Sequence, residues 1–418
     1  MRNMANIITF IYFFFTIINK IYGESYECPV NYCKNYIEND ECPKLEKTDD
    51  DHKLELLSPT PCNCCDYYLI KLDEGEQCLI GTPSSPRPYS ICGDGLYCKG
   101  TLQEGEGKCA KIVTECTEKQ AEWDKKRLDG TLGIMEARPK CDRNGDFEPV
   151  WCIPEQTCYC QNKKGDRIFG TMEFKSSVER DTYCDCSRKV DIANNLIPNS
   201  LKFENPTIRC LPNGNYDPLQ CINNEGCLCT DEKTGIPSDD DWFKKLVNVS
   251  NINNETLWCF NEEIHTESQF LKPCQIEYEQ IRNETLTLKE NDIIRLQENL
   301  PKCHPDGSYH QVQENSTIKY CADPLGVQLK EYAVDVSSEL AKTMDCNCAR
   351  SEYILEHQNK GSHRQPQCCE NGNYYQIQCR LDQCYCVDGN GNQIEKEVVQ
   401  SNINKLSCYS KTTKKCTE

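Results

Sequence analysis

The sequence is poor in the residues that most often do chemistry. It holds six His (His52, His265, His304, His310, His357 and His363) in 418 residues, with no His-Glu-x-x-His, Gly-x-Ser-x-Gly or phosphate-loop pattern. The usual zinc-hydrolase, serine-hydrolase and nucleotide sites are thereby excluded, and the chain reads as no enzyme, with no cofactor and no metal. His304 and His310 could face each other across a turn, but the expected reading is exposed loop residues. Basic residues are also in deficit, 47 against 66 acidic, for a net charge of -19. Such a surplus repels phosphate and argues against nucleic acid and anionic lipid as partners. The acidic triples Asp49-Asp50-Asp51 and Asp239-Asp240-Asp241 lack the alternating ligands and Gly of a calcium loop, so both read as solvated loops.

Long apolar runs are missing too, apart from Ile7 to Ile18. That stretch follows Arg2, precedes Gly23 and is too short to cross a bilayer. Residues 1–23 are therefore expected to be a signal peptide, and no membrane span is expected. What the chain has in abundance is cysteine, 34 in all. A cytosolic protein keeps its thiols reduced, so this number places the chain outside the cell in an oxidising compartment. With 38% hydrophobic residues, domains of this kind must be small and held by covalent staples rather than by a large core.

Internal repetition organises the larger part of the sequence. Four blocks align without gaps: Cys141 to Cys152, Cys210 to Cys221, Cys303 to Glu314 and Cys368 to Cys379. Each places Gly145, Gly214, Gly307 or Gly372 after an Asn or Asp, a strong hairpin signal. An aromatic follows (Phe147, Tyr216, Tyr309, Tyr374), then an aliphatic three residues on (Val150, Leu219, Val312, Ile377). That odd spacing separates the two onto opposite faces of a strand. An opening Cys precedes each block (Cys116, Cys186, Cys274, Cys348). A Cys-x-Cys or its remnant follows (Cys158 and Cys160, Cys227 and Cys229, Lys319 and Cys321, Cys384 and Cys386). A last Cys closes each unit (Cys184, Cys259, Cys346, Cys408).

The third unit bears on the connectivity. It has Glu314 and Lys319 where the others have their third and fourth Cys, and joint loss is what a bonded pair would show. The expected small loops are Cys152–Cys158, Cys221–Cys227 and Cys379–Cys384, the alternative being independent loss in a divergent unit. The remaining cysteines pair most simply first with second and fifth with sixth. After ten cysteines between Cys28 and Cys109, the count leaves Cys369 and Cys416, expected to tie the tail to the fourth unit. With every sulfur paired, none is left as nucleophile or zinc ligand.

These units resemble thyroglobulin type-1 domains. The likeness rests on the Asn-Gly-aromatic block ending in Cys, on Cys158-Tyr159-Cys160 and Cys384-Tyr385-Cys386, on Pro139, Pro301 and Pro366 ahead of the second Cys, and on the glycines of the following turns. The resemblance implies a first-to-second, third-to-fourth, fifth-to-sixth pairing. It departs from the family where the usual Trp of the Cys-x-Cys is Tyr159, Leu228, Tyr320 or Tyr385. The passage Gly75 to Cys78 with Cys92 to Cys98 resembles the amino-terminal domain of insulin-like growth factor-binding proteins.

The expected fold class is therefore small disulfide-rich α+β modules: a cysteine-rich module (24–113), then domains at 114–184, 185–259, 260–346 (divergent) and 347–410, and a tail (411–418). A capping box with Thr117 as N-cap and Gln120 three residues later predicts a helix to Gly130. A longer helical stretch is expected between Gln275 and Leu300. Asn248, Asn254, Asn283 and Asn315 are glycan acceptors by their Asn-x-Ser/Thr sequence. They would cloak the second-to-third junction and the third unit, leaving the first and fourth for contact. Some thyroglobulin type-1 domains inhibit papain-like cysteine proteases, which implies a secreted inhibitor and a cysteine protease as partner. Its contact loops would be the segment ahead of Cys141, Ile153 to Thr157 and Asn162 to Thr171, and in the fourth unit Gly361 to Gln367, Arg380 to Gln383 and Asp388 to Ile394. The rival readings are a carrier of insulin-like or other small secreted peptides and an extracellular scaffold.

Overall fold

The computed structural model describes residues 32–39, 54–57, 64–80, 88–100, 105–196, 208–222, 226–237, 246–248, 251–252, 256–261, 272–290, 300–357, 365–409 and 416. The signal-peptide stretch, Cys28, Cys42, Cys62, Asn254 and both acidic triples lie outside these residues. The chain divides into two bodies, 1–112 and 113–418.

In the first body helix α1 (Tyr32–Asn39) is tied to the sheet region by Cys33–Cys64. Strands β1 (Leu54–Leu57), β2 (Tyr67–Leu72) and β4 (Ser90–Cys92) form one sheet, with β2 and β4 parallel. Strands β3 (Gln77–Leu79), β5 (Leu96–Gly100) and β6 (Glu106–Lys111) form a second sheet in the order β3-β6-β5. Its core is largely sulfur: Cys78–Cys98 and Cys92–Cys109 pack beside Leu72 and Leu96.

The second body repeats one small design. In the first unit helix α2 (Glu115–Leu128) precedes strands β7 (Val150–Cys152), β8 (Thr157–Gln161) and β9 (Arg167–Glu173), which form an antiparallel sheet. The helix starts three residues earlier than the Thr117 box predicts. Thr114 is the N-cap and Thr117 its reciprocal partner, each hydroxyl accepting the other's backbone N–H, which draws Cys116 into the first turn. Gln120 instead donates to the Pro139 carbonyl at 2.7 Å. After a short helix α3 (Val178–Asp181), α4 (Asp185–Leu196), β10 (Leu219–Ile222) and β11 (Gly226–Cys229) form the second unit. The third is α5 (Pro273–Glu290), β12 (Val312–Glu314), β13 (Ile318–Ala322) and β14 (Gln328–Asp335), then α6 (Glu339–Lys342). The fourth is α7 (Asn347–His357), β15 (Ile377–Arg380), β16 (Gln383–Cys386) and β17 (Val398–Val399).

Sulfurs stand where these elements meet. Cys116–Cys141, Cys186–Cys210, Cys274–Cys303 and Cys348–Cys368 pin each helix to its block. Cys152–Cys158, Cys221–Cys227 and Cys379–Cys384 bridge directly opposed residues of a hairpin. Cys160–Cys184, Cys229–Cys259, Cys321–Cys346 and Cys386–Cys408 close the units, and Cys369–Cys416 ties the tail. No cysteine among the described residues is free. In the third unit Glu314 and Lys319 face each other in the register of the missing bridge. Their charges turn elsewhere, Glu314 to Lys302 at 3.6 Å and Lys319 to the Ala341 carbonyl at 2.8 Å. A helix-to-block bridge closing some 25 residues is worth about 3 kcal/mol of unfolded-chain entropy.

In the second unit the repeated aromatic and aliphatic are both buried yet belong to separate clusters, Tyr216 with Cys186 and Leu219 with Cys227, while Tyr309 of the third unit is only partly buried. The aromatic lies outside the strand, bridged to the second Cys of its unit. It lies under the glycine of the turn that follows. A Cβ at Gly391 (φ 90°) would come 2.6 Å from Tyr374, and one at Gly235 (φ 68°) equally close to Tyr216. These turns therefore require glycine for both conformation and space.

Candidate functional site

Consecutive units are joined by a recurrent junction. Cys184 and Cys346 adopt left-handed backbone (φ 56° and 57°) just before the one-residue linkers Asp185 and Asn347. Asn215 Oδ1 accepts the N–H groups of Tyr183 and Cys184 at 2.7 and 3.3 Å. Asn373 does the same for Asp345 and Cys346 at 2.8 and 3.3 Å. Arg188, on the first turn of α4, donates to the Gln161 and Phe147 carbonyls of the preceding unit. Arg350 of α7 donates to the Tyr309 carbonyl in the same manner. Units one and two, and units three and four, thus form two similarly built pairs.

The pairs meet through residues that the sequence places in contact loops. Trp151 Nε1 donates to Asn392 Oδ1 at 2.7 Å, and the Met135 N–H to Gln393 Oε1 at 2.8 Å. The Ile134 N–H donates to Glu397 at 2.9 Å, Lys126 to the Ile394 carbonyl at 3.1 Å, and Lys396 to the Gly130 carbonyl at 2.8 Å. Asn392 Nδ2 also donates to the buried Tyr159 hydroxyl, whose pKa burial raises. Ile153 and Tyr159 pack with Tyr374, Tyr385 and Val387 of the fourth unit.

The loops consequently differ in availability. Of Ile153 to Thr157, Ile153 (3% exposed), Gln156 and Thr157 are buried, and exposed Glu155 pairs with Arg380. The turn Asp388 to Ile394 is committed to the first unit by Asn392 and Gln393. The segment ahead of Cys141 is bound along its backbone but leaves Ile134 80% exposed. The loop Arg380 to Gln383 projects with Leu381 84% exposed, while residues 361–364 lie outside the described set. Asn248, Asn283 and Asn315 are exposed.

All four units line a cavity of about 730 Å³, with Arg167, Lys302, His304, His310, Asp345 and Arg350 on its wall. His304 and His310 are not exposed loop residues. Their rings lie 4.6 Å apart, partly buried, and His304 packs on Phe169 of β9 at 4.8 Å. Burial and nearby cations hold His304 well below its ordinary pKa, and burial lowers His310 to about 4. Burial raises Asp345 to about 6. Mixed charge and the lack of a positioned nucleophile give this wall no evident chemistry. The clusters Cys78/Cys92/Cys109 and Cys386/Glu395/Cys408 contain disulfide sulfurs, which are not thiolate ligands for a metal. No described helix is long and apolar enough to cross a membrane.

The signal for Asn215 and Asn373 was present in the sequence. Asn stands before the aromatic only in the two units that follow a one-residue junction, and Asp146 and Ser308 take its place elsewhere. No sequence pattern announces the contact between Trp151 and Asn392.

Residues 114–179 and 342–408 match the family described as thyroglobulin type-1 repeat, and residues 17–118 match that described as fungal protease inhibitor. The chain is similar to equistatin of Actinia equina, 32% identical over 158 residues, which is 36% of this chain and 64% of that protein. It is 25% identical over 128 residues to U20-hexatoxin-Hi1a of Hadronyche infensa, 30% of this chain and 80% of the relative. Human (Homo sapiens) thyroglobulin is 20% identical over 263 residues, 61% of this chain but 8% of its own length. The chain thus spans less than two thirds of the equistatin length and a small part of thyroglobulin. It carries thyroglobulin type-1 repeat sequence in its first and fourth units, preceded by a segment similar to fungal protease inhibitors.

Proposed function

We propose that the protein is a secreted, non-catalytic inhibitor of papain-like cysteine proteases, and that its second and third units are further, divergent thyroglobulin type-1 repeats. The observation that carries this reading is the hairpin of the fourth unit. Its base is closed by Cys379–Cys384 with Cα atoms 4.1 Å apart, and its tip projects an apolar side chain into solvent. A loop already fixed in this way loses little freedom on entering a cleft, so contact area converts efficiently into affinity. The similarities to a protease-inhibitor family in 17–118 and to thyroglobulin type-1 repeats support the same role. Secretion follows from residues 1–23 as a signal peptide, with Asn248, Asn254, Asn283 and Asn315 as glycan acceptors.

The test is progress-curve inhibition of papain by the intact oxidised chain. Reversible inhibition with a nanomolar constant is expected, in the range of protease–inhibitor pairs. Full papain activity at micromolar protein would contradict the proposal.

A further inference from the structure

Each unit has one short hairpin loop between its third and fourth cysteine positions, and the structure treats the copies differently. In the first unit the loop is spent on the molecule itself: Ile153 and Gln156 are buried, and Glu155 is paired with Arg380 of the fourth unit. In the second unit the sequence at this position is Asn223-Asn224-Glu225, outside the described residues. In the third unit the bridge is gone and the tip carries the glycan sequence at Asn315. That Asn closes the turn on itself by accepting the N–H groups of Thr317 and Ile318 at 2.9 and 2.8 Å.

The fourth copy stands apart. Leu381 is 84% exposed and sits at φ 55°, a left-handed conformation unfavourable to a side chain of this size. It is held there by paired strands, Arg380 opposite Gln383 and Cys379 opposite Cys384, and by the disulfide beneath them. Arg380 anchors the other side, ion-paired to Glu155 and reaching Met135 Sδ at 3.9 Å. A large aliphatic side chain held on this braced tip offers apolar area that a partner's cleft can bury at little ordering cost.

Resting on the inhibitory reading above, we infer that the fourth unit alone presents a protease-binding loop, that Leu381 leads it into an apolar depression of the active-site cleft, and that one chain therefore engages one protease. The first unit serves as the buttress of this loop rather than as a second inhibitory head.

Active-site-titrated papain, mixed with the intact oxidised chain at concentrations far above the inhibition constant, tests this. The inference expects an endpoint of one papain per chain. Leu381→Asp should weaken inhibition at least about tenfold, as expected of a central apolar anchor, whereas the third-unit control Ser316→Asp should stay close to the parent. Because Leu381 is exposed, the variants should retain the parent's unfolding midpoint, which is measured alongside. An endpoint of two or more papains per chain, or undiminished inhibition by Leu381→Asp, would overturn the inference and leave the inhibitory reading standing. A parent chain that fails to inhibit papain would overturn that reading, and the inference with it.

Discussion

Asn215 is 0% exposed and uses both ends of its amide twice. Oδ1 accepts from Tyr183 and Cys184, while Nδ2 donates to the Asp181 carbonyl at 3.0 Å and Glu232 at 2.9 Å. Among the described residues no other side chain accepts the Tyr183 and Cys184 N–H groups, so the amide fixes where the second unit begins. Asn215→Ala should cost on the order of 2–4 kcal/mol, because buried donors at the junction lose their acceptor. Equilibrium denaturation with the disulfides intact measures the loss, and Asn373→Ala should behave alike. An unchanged midpoint in both variants would show that the linkers and the Arg188 and Arg350 clamps hold the junction unaided.

Elements packed across units bring pH into the stability of the second body. The turn that carries His304 and His310 rests on β9 through Phe169, with Lys302 and Arg350 nearby and Gln311 bonded to His304 at 2.9 Å. His310 is lowered to about 4 in the fold from about 6.5 in an unfolded chain. Between those values the unfolded chain binds more protons, so this contribution is present at neutral pH and is lost as pH falls toward 4. Asp345 acts in the opposite sense. Raised to about 6, it penalises the fold at pH 7, and that penalty fades in acid. The comparison that isolates the imidazole is His310→Asn, whose Oδ1 can replace the ring nitrogen that accepts from the Val312 N–H. Relative to the parent it should gain roughly 2 kcal/mol between pH 7 and 4.5, read from urea midpoints. A pH-independent difference would place the lowered pKa in doubt.

Legibility in the sequence varies at this scale for physical reasons. Hairpin turns, bridged strands and the small loops are local, so glycine and cysteine spacing reports them: Cys152 and Cys158 stand opposite in register, as do Glu314 and Lys319 where the bridge is missing. The helix start was displaced because Thr114 and Thr117 form the reciprocal cap, while Gln120 is drawn away to Pro139. The Gln275-to-Leu300 stretch becomes a helix over Pro273–Glu290. Packing between distant loops is of another kind. Trp151 and Asn392 are 241 residues apart, and neither carries a period or spacing that names the other. The Asp388-to-Ile394 turn, expected as a free contact loop, is for that reason found committed to the first unit. The histidine pair, expected on an exposed turn, is partly buried for the same reason, since its neighbour Phe169 belongs to another unit.

The second body is built of covalent frames that are each closed within a unit, with polar junctions and loop contacts assembling the frames. The hydrophobic clusters are small and built around sulfur, so the disulfides carry the stiffness that a larger core would otherwise give. Everything proposed for Leu381 depends on Cys379–Cys384 closing its own hairpin. The most direct test is disulfide mapping of the unreduced, alkylated protein by proteolysis and mass spectrometry. Cys116–Cys141, Cys152–Cys158, Cys160–Cys184 and their counterparts in the other units should be recovered, together with Cys369–Cys416 and no alkylated thiol in the second body. Bridges that join one unit to another, or Cys379 and Cys384 recovered with other partners, would contradict that pairing.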